Sequence, residues 1–134
     1  GKKENKFGVS EKDFFEILSY CRKSNYIDLK CLSVHIGSQI LNYRPYEKML
    51  KVINKILNKS NYNFEFIDLG GGMGISYGDK NKKLDYRKYA LVIKNFLKNH
   101  KSKIIFEPGR SIIGNIGTLI SKIIYIKRNQ SIME

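Results

Sequence analysis

The sequence predicts an α/β fold built on a parallel sheet. Three observations carry the prediction. Short β-rich runs alternate with amphipathic helical runs along the chain. The β-rich runs end at His35, Leu69 and Glu107, spacings of 34 and 38 residues, the length of one βα unit in a barrel or a doubly wound sheet. Polar and glycine-rich residues gather just after those runs, at the strand ends where parallel α/β folds bind ligands.

Each element has its own signal. Lys6-Phe7-Gly8-Val9 reads as the tail of an earlier strand. Phe14, Ile17, Leu18 and Cys21 recur at helical spacing and predict a helix over 11–24, opened by Ser10 with Asp13 three residues on, a weak capping box. Residues 29–36 (LKCLSVHI) are β-rich without helical period and predict a strand. Tyr46, Met49, Leu50, Ile53, Ile56 and Leu57 mark one face of a second helix. Residues 64–69 (FEFIDL) predict a second strand, closed by Gly70-Gly71-Gly72. Tyr86, Tyr89, Ala90, Ile93, Phe96 and Leu97 mark a third helix, with Asp85 as its N-cap. Residues 103–107 (KIIFE) predict a third strand, which Pro108 ends by removing a ladder donor. Residues 117–127 (GTLISKIIYIK) break the rhythm: they are β-rich, no helix follows, and they read as a strand leaving for another domain.

Composition narrows the function classes. The chain has 134 residues and a formal charge of +13. Such a charge raises nucleic acid or an anionic membrane as a partner. Of 25 cations, however, 20 are Lys and 5 are Arg, so the guanidinium forks that suit phosphate and base edges are few. The chain also carries 19 Ile and 12 Asn, and this joint excess reads as codon bias. Lys48, Lys51, Lys55, Lys59, Lys94 and Lys98 fall on the polar faces of separate helices, so neither nucleic acid nor membrane is expected. The apolar stretch from Ile112 to Ile126 is broken by Asn115, Thr118, Ser121 and Lys122 and does not read as a membrane span. Cys21 and Cys31 have no metal-like spacing and read as free thiols of a reducing, cytoplasmic compartment. With two His and no Cys cluster, no metal site is expected. The N-terminal Gly-Lys-Lys-Glu-Asn has no apolar signal core, and the chain reads as a piece of something longer.

The chemistry concentrates in three motifs. Gly70-Gly71-Gly72 after a strand lets backbone N–H groups approach an anion, so phosphate is a natural guest; a tight turn is the plainer alternative. The spacing fits neither the dinucleotide fingerprint nor a P-loop. His35 precedes Gly37, which permits close approach of a ligand, and Ser38, whose hydroxyl suits a phosphate; a structural histidine is the alternative. Glu107 is pushed into extended backbone by Pro108, and Gly109 allows a sharp turn before Arg110. The two charges either pair with each other or meet a ligand cation and an anion respectively. His100, among lysines, reads as solvated.

Together HIGSQ (35–39), DLGGGMGI (68–75) and EPGR (107–110) closely resemble the fold-type III pyridoxal-phosphate decarboxylases, in particular the branch that acts on diaminopimelate. Lys6-Phe7-Gly8 resembles a strand end of the same family, and the resemblance spans Lys6 to Lys127. It implies the C-terminal half of a TIM-type (β/α)8 barrel over residues 1–115 and the first strand of a β-rich C-terminal domain over 116–134. It implies pyridoxal 5'-phosphate as cofactor, a small amino acid as substrate, and a homodimer as the assembly of the full-length parent. By the same resemblance His35 stacks on the pyridoxal ring. Ser38 and Gly72 bind the phosphate, helped by Gly71 and the backbone of Pro108, Gly109 and Arg110. Glu107 faces the pyridine nitrogen, and Arg110 binds phosphate and reaches the substrate. The lysine that carries the cofactor in that family has no counterpart here, so no catalytic residue is assigned, and the piece alone is expected to be inactive. The implied reaction converts meso-2,6-diaminopimelate to L-lysine and CO2. An ornithine- or arginine-type decarboxylase and a non-catalytic homologue of the fold are the alternatives.

Overall fold

The computed structural model describes residues 7–78 and 83–126. Helix α1 (Glu11–Lys23) begins where the sequence places it, with a complete capping box: the Asp13 N–H donates to Ser10 Oγ at 3.2 Å and the Ser10 N–H returns to Asp13 Oδ2 at 3.4 Å. Strand β1 (Cys31–Ser33) leads to α2 (Arg44–Ser60), β2 (Phe66–Asp68), α3 (Tyr86–Leu97), β3 (Lys103–Ile105) and a single turn of helix, α4 (Arg110–Ile113). Asp85 caps α3 as expected, its Oδ1 accepting the Lys88 N–H at 3.0 Å. Pro45 sits in the first turn of α2, where its missing N–H costs nothing.

The three strands form one parallel sheet in the order β1-β2-β3. The register aligns Leu32, Ile67 and Ile104 in a row facing the helices. Leu32 and Ile67 are buried there under Tyr46, Met49, Leu50 and Ile53 of α2 and Tyr89, Ile93 and Phe96 of α3. Burying a side chain such as Ile67 stabilises the fold by roughly 1.5–3 kcal/mol. Helix α1 adds Leu18 and is tied to the end of α2 by Arg22, whose Nη2 donates to the carbonyls of Ser60 at 2.6 Å and Asn61 at 2.8 Å. Those bonds satisfy acceptors left over at the C-terminus of a helix. The opposite face of the sheet is open: Ser33, Lys103 and Ile105 are exposed on it, and Cys31 and Phe66 are half-buried.

The structure corrects four expectations. The strands are shorter than the β-rich runs, because each chain leaves the ladder for the loop beyond it; single bonds such as Val34 N–H to Asp68 O (2.9 Å) and Leu69 N–H to Ile105 O (3.1 Å) prolong the pairing past the strand ends. Phe7 and Gly8 form a bend, Val9 has no regular structure, and Lys6 lies outside the described residues. Residues 117–126 form no strand, since a strand needs a neighbour and no described residue pairs with them; Leu119, Ile120 and Ile124 are 92%, 90% and 93% exposed. Lys127 lies outside the described residues. His100 is not solvated: it is half-buried, its Nε2 is 2.8 Å from Asn54 Oδ1, and its ring lies 4.4 Å from that of Phe96. The lysines of the helix faces are exposed and scattered as expected.

Candidate ligand site at the strand ends

Beyond the C-terminal ends of the strands the chain builds one cleft of about 270 Å³. His35, Ser38, Gly71, Gly72, Glu107, Gly109 and Arg110 line it, together with Gln39 and Met73. Residues from three separate motifs therefore meet at one place, because parallel strands in adjacent positions end side by side. Pro108 sits between two lining residues and is not itself part of the wall.

The glycine loop is held from three sides. Asp68, buried at the end of β2, accepts the Gly70 N–H on Oδ1 at 2.8 Å and the Ser33 hydroxyl on Oδ2 at 3.1 Å. That Asx-type bond turns the chain straight from the strand into the loop. Tyr46, fully buried on α2, donates its hydroxyl to the Gly71 carbonyl at 3.1 Å. Burial pushes the Tyr46 phenol up to about 12, so the hydroxyl keeps its proton well into the alkaline range. On the open side the loop zips to the segment after β1, with Ile40 N–H to Gly72 O at 2.9 Å and Gly74 N–H to Ile40 O at 3.0 Å.

Two glycines are required by this geometry. Gly72 has φ +86°, and a Cβ there would run into the carbonyl of Gly37. At Gly71 a Cβ would run into the carbonyl of Glu107. The neighbouring loops approach backbone to backbone, which leaves the cleft walls thin and rich in main-chain polar groups.

The charged groups of the cleft do not cancel. Among the described residues Arg110 has no carboxylate within ion-pair range, and Glu107 has no cation, so the alternative in which the two pair with each other is excluded there. Arg110 instead donates from Nη1 to Gln39 Oε1 at 2.9 Å, with its guanidinium 5.9 Å from the centre of the Tyr77 ring. A guanidinium and a hydroxyl beside glycine backbone suit an oxyanion; a carboxylate and an imidazole on the same cleft suit a polar, flat heterocycle. Gln39, Asp68 and Tyr46 belong to this construction, although the sequence reading assigned them no part in a site. The signal for Gln39 lay in its place inside the HIGSQ motif, and that for Asp68 in its position two residues before a glycine run. Nothing in the sequence distinguished Tyr46 from the other apolar-face residues of its helix.

Comparison with known proteins agrees with this geometry. A family model described as pyridoxal-dependent decarboxylase, pyridoxal binding domain, matches residues 1–114. The chain is 37% identical over 130 residues to a diaminopimelate decarboxylase of Aquifex aeolicus, covering 95% of this chain and 31% of that protein. Among solved structures it resembles diaminopimelate decarboxylase from Helicobacter pylori complexed with L-lysine, with a TM-score of 0.76 and 38% identity, over 84% of this chain and 29% of that one. It also resembles an arginine decarboxylase of Paramecium bursaria Chlorella virus, with a TM-score of 0.65 and 25% identity, over 81% of this chain and 30% of that one. The chain spans about a third of the length of the curated relatives it matches. With its cleft at the strand ends and a family match over most of its length, the chain belongs to the pyridoxal-dependent decarboxylases and forms part of their pyridoxal-binding domain.

Proposed function

We propose that this chain is the cofactor-holding part of a diaminopimelate decarboxylase, an enzyme that converts meso-2,6-diaminopimelate to L-lysine and CO2. The observation that carries the reading is the convergence of His35, Ser38, Gly72, Glu107 and Arg110 on one cleft. The relatives named for this activity, and the L-lysine bound by the Helicobacter pylori enzyme, support the substrate.

The residues present fit pyridoxal 5'-phosphate. The cleft offers an oxyanion-binding end, with Arg110 unneutralised among the described residues, and a separate carboxylate, Glu107, for a ring nitrogen. When bound, the cofactor supplies an electron sink for the charge left at Cα as CO2 departs. Glu107 holds a proton on the pyridine nitrogen, because a carboxylate beside that atom favours its cationic form. His35, on the wall of the same cleft, would lie against the ring. Ser38 donates a hydrogen bond to the phosphate, and Gly71, Gly72 and Gly109 contribute backbone around it. Arg110 binds the phosphate and reaches the substrate. This chain contributes no covalent anchor for the cofactor.

The same reading assigns residues 1–115 to part of a (β/α)8 barrel and residues 116–134 to the start of a β-rich domain. The parallel sheet with helices on one face supports the first assignment. It also assigns the full-length enzyme to a cytoplasmic homodimer. The two unbridged cysteines are consistent with that compartment, and the exposed apolar residues of 112–126 offer surface for association.

The test is made on the full-length protein with added pyridoxal 5'-phosphate. Release of CO2 and formation of L-lysine from meso-diaminopimelate are expected. Glu107→Ala is expected to lower kcat by about 100-fold or more while cofactor affinity changes much less, the scale of one lost electrostatic stabiliser. No lysine formed, or a Glu107→Ala enzyme near wild-type rate, overturns the proposal.

A further inference from the structure

We infer that Gln39 is a positioning residue: its neutral amide orients Arg110 toward an oxyanion without consuming the guanidinium charge. The inference rests on the proposed reading of the cleft and deepens it. Gln39 sits at φ +61°, a left-handed conformation that is unfavourable for a non-glycine residue. Its side-chain bonds offset that cost. Nε2 donates to the Ile75 carbonyl at 2.5 Å, while Oε1 accepts the Ile75 N–H at 3.4 Å and Arg110 Nη1 at 2.9 Å. One amide thus joins three segments: the loop after β1, the loop after β2 and the first residue of α4.

The chemistry of that amide matters. A carbonyl oxygen directs a guanidinium as a carboxylate would, yet it carries no charge. Among the described residues no carboxylate reaches Arg110, so its full charge faces the cleft. A glutamate at position 39 would preserve length and the acceptor for Arg110. It would also neutralise the cation and lose the donor to Ile75. The oxyanion served has two possible sources, the phosphate ester of the cofactor and a carboxylate of the substrate.

The experiment compares wild type, Q39E and Q39M in the full-length protein. Dissociation constants are measured for pyridoxal 5'-phosphate, for unphosphorylated pyridoxal and for inorganic phosphate, and KM is measured for diaminopimelate. Q39E is expected to weaken its oxyanion by about tenfold, the loss of one charge-assisted bond, and Q39M by less. If the cofactor phosphate is the anion, affinity for the phosphorylated cofactor and for inorganic phosphate falls while that for pyridoxal holds. If the substrate carboxylate is the anion, KM rises and cofactor affinity holds. Either pattern supports the inference. Equal losses for pyridoxal and its phosphate, unchanged values throughout, or Q39M as impaired as Q39E overturn it, because then the residue only holds the loops. If wild type binds neither pyridoxal compound, the proposed function fails, and the inorganic phosphate comparison alone decides the role of Gln39. Should Q39E not fold, the double-mutant cycle of Q39M with R110M reads the same coupling through phosphate affinity, non-additive losses supporting the inference and additive ones overturning it.

Discussion

Gly72 shows how much a single position can decide. Its φ of +86° and the carbonyl of Gly37 against its missing Cβ leave no room for any side chain. Gly72→Ala is therefore expected to destabilise the chain by at least about 1–2 kcal/mol from backbone conformation alone, with the collision added. A urea midpoint unchanged from wild type would contradict this. Arg110 and Gln39 make the complementary point. Their hydrogen bond joins residues 71 apart in sequence, and among the described residues Glu107 and Arg110 line one cleft without forming an ion pair. The spacing of EPGR left pairing open; the folded arrangement closed it.

At the scale of elements, local chemistry set the helices. Ser10 and Asp13 cap α1 reciprocally, so Ser10→Ala is expected to cost about 1 kcal/mol in chemical denaturation. An effect below the error of the measurement would show that the cap is idle. His100 illustrates the opposite case, where neighbours decided. Burial against Phe96 pushes its imidazole below the ordinary 6.5. The folded state thus disfavours the proton that the unfolded chain accepts. This contribution is complete above pH 6.5 and is lost as pH falls through the lower folded value. Denaturation midpoints measured from neutral pH downward are expected to fall less steeply in His100→Gln than in wild type; identical slopes would refute the linkage. The run 117–126 is the converse case, forming no ladder among the described residues because the neighbour is missing rather than present. β-propensity describes a fit to a neighbour, and no described neighbour is there.

For the whole molecule the decisive feature is the asymmetry of the sheet. Helices cover one face, while Ser33, Lys103 and Ile105 stand exposed on the other. Parallel sheets are stable with both faces covered. The exposed apolar residues Ile116, Leu119, Ile120, Ile123 and Ile124 add to the same imbalance. This chain expressed alone is expected to self-associate and to bind a hydrophobic dye, as sedimentation and fluorescence would show. A monodisperse monomer with a sharp, cooperative melt would count against that expectation.

By itself the sequence determined the order of helices and strands, their caps, the three motifs at the strand ends and the family they resemble. These are properties of neighbours along the chain: apolar period, capping oxygens, glycine and proline at turns. Tertiary structure decided which motif residues meet, that Tyr46 braces the glycine loop, and that residues 117–126 pair with no described residue. The physical reason is common to all of these: each depends on a hydrogen bond, a close backbone approach or a missing ladder partner between segments tens of residues apart, and sequence spacing does not report such distances.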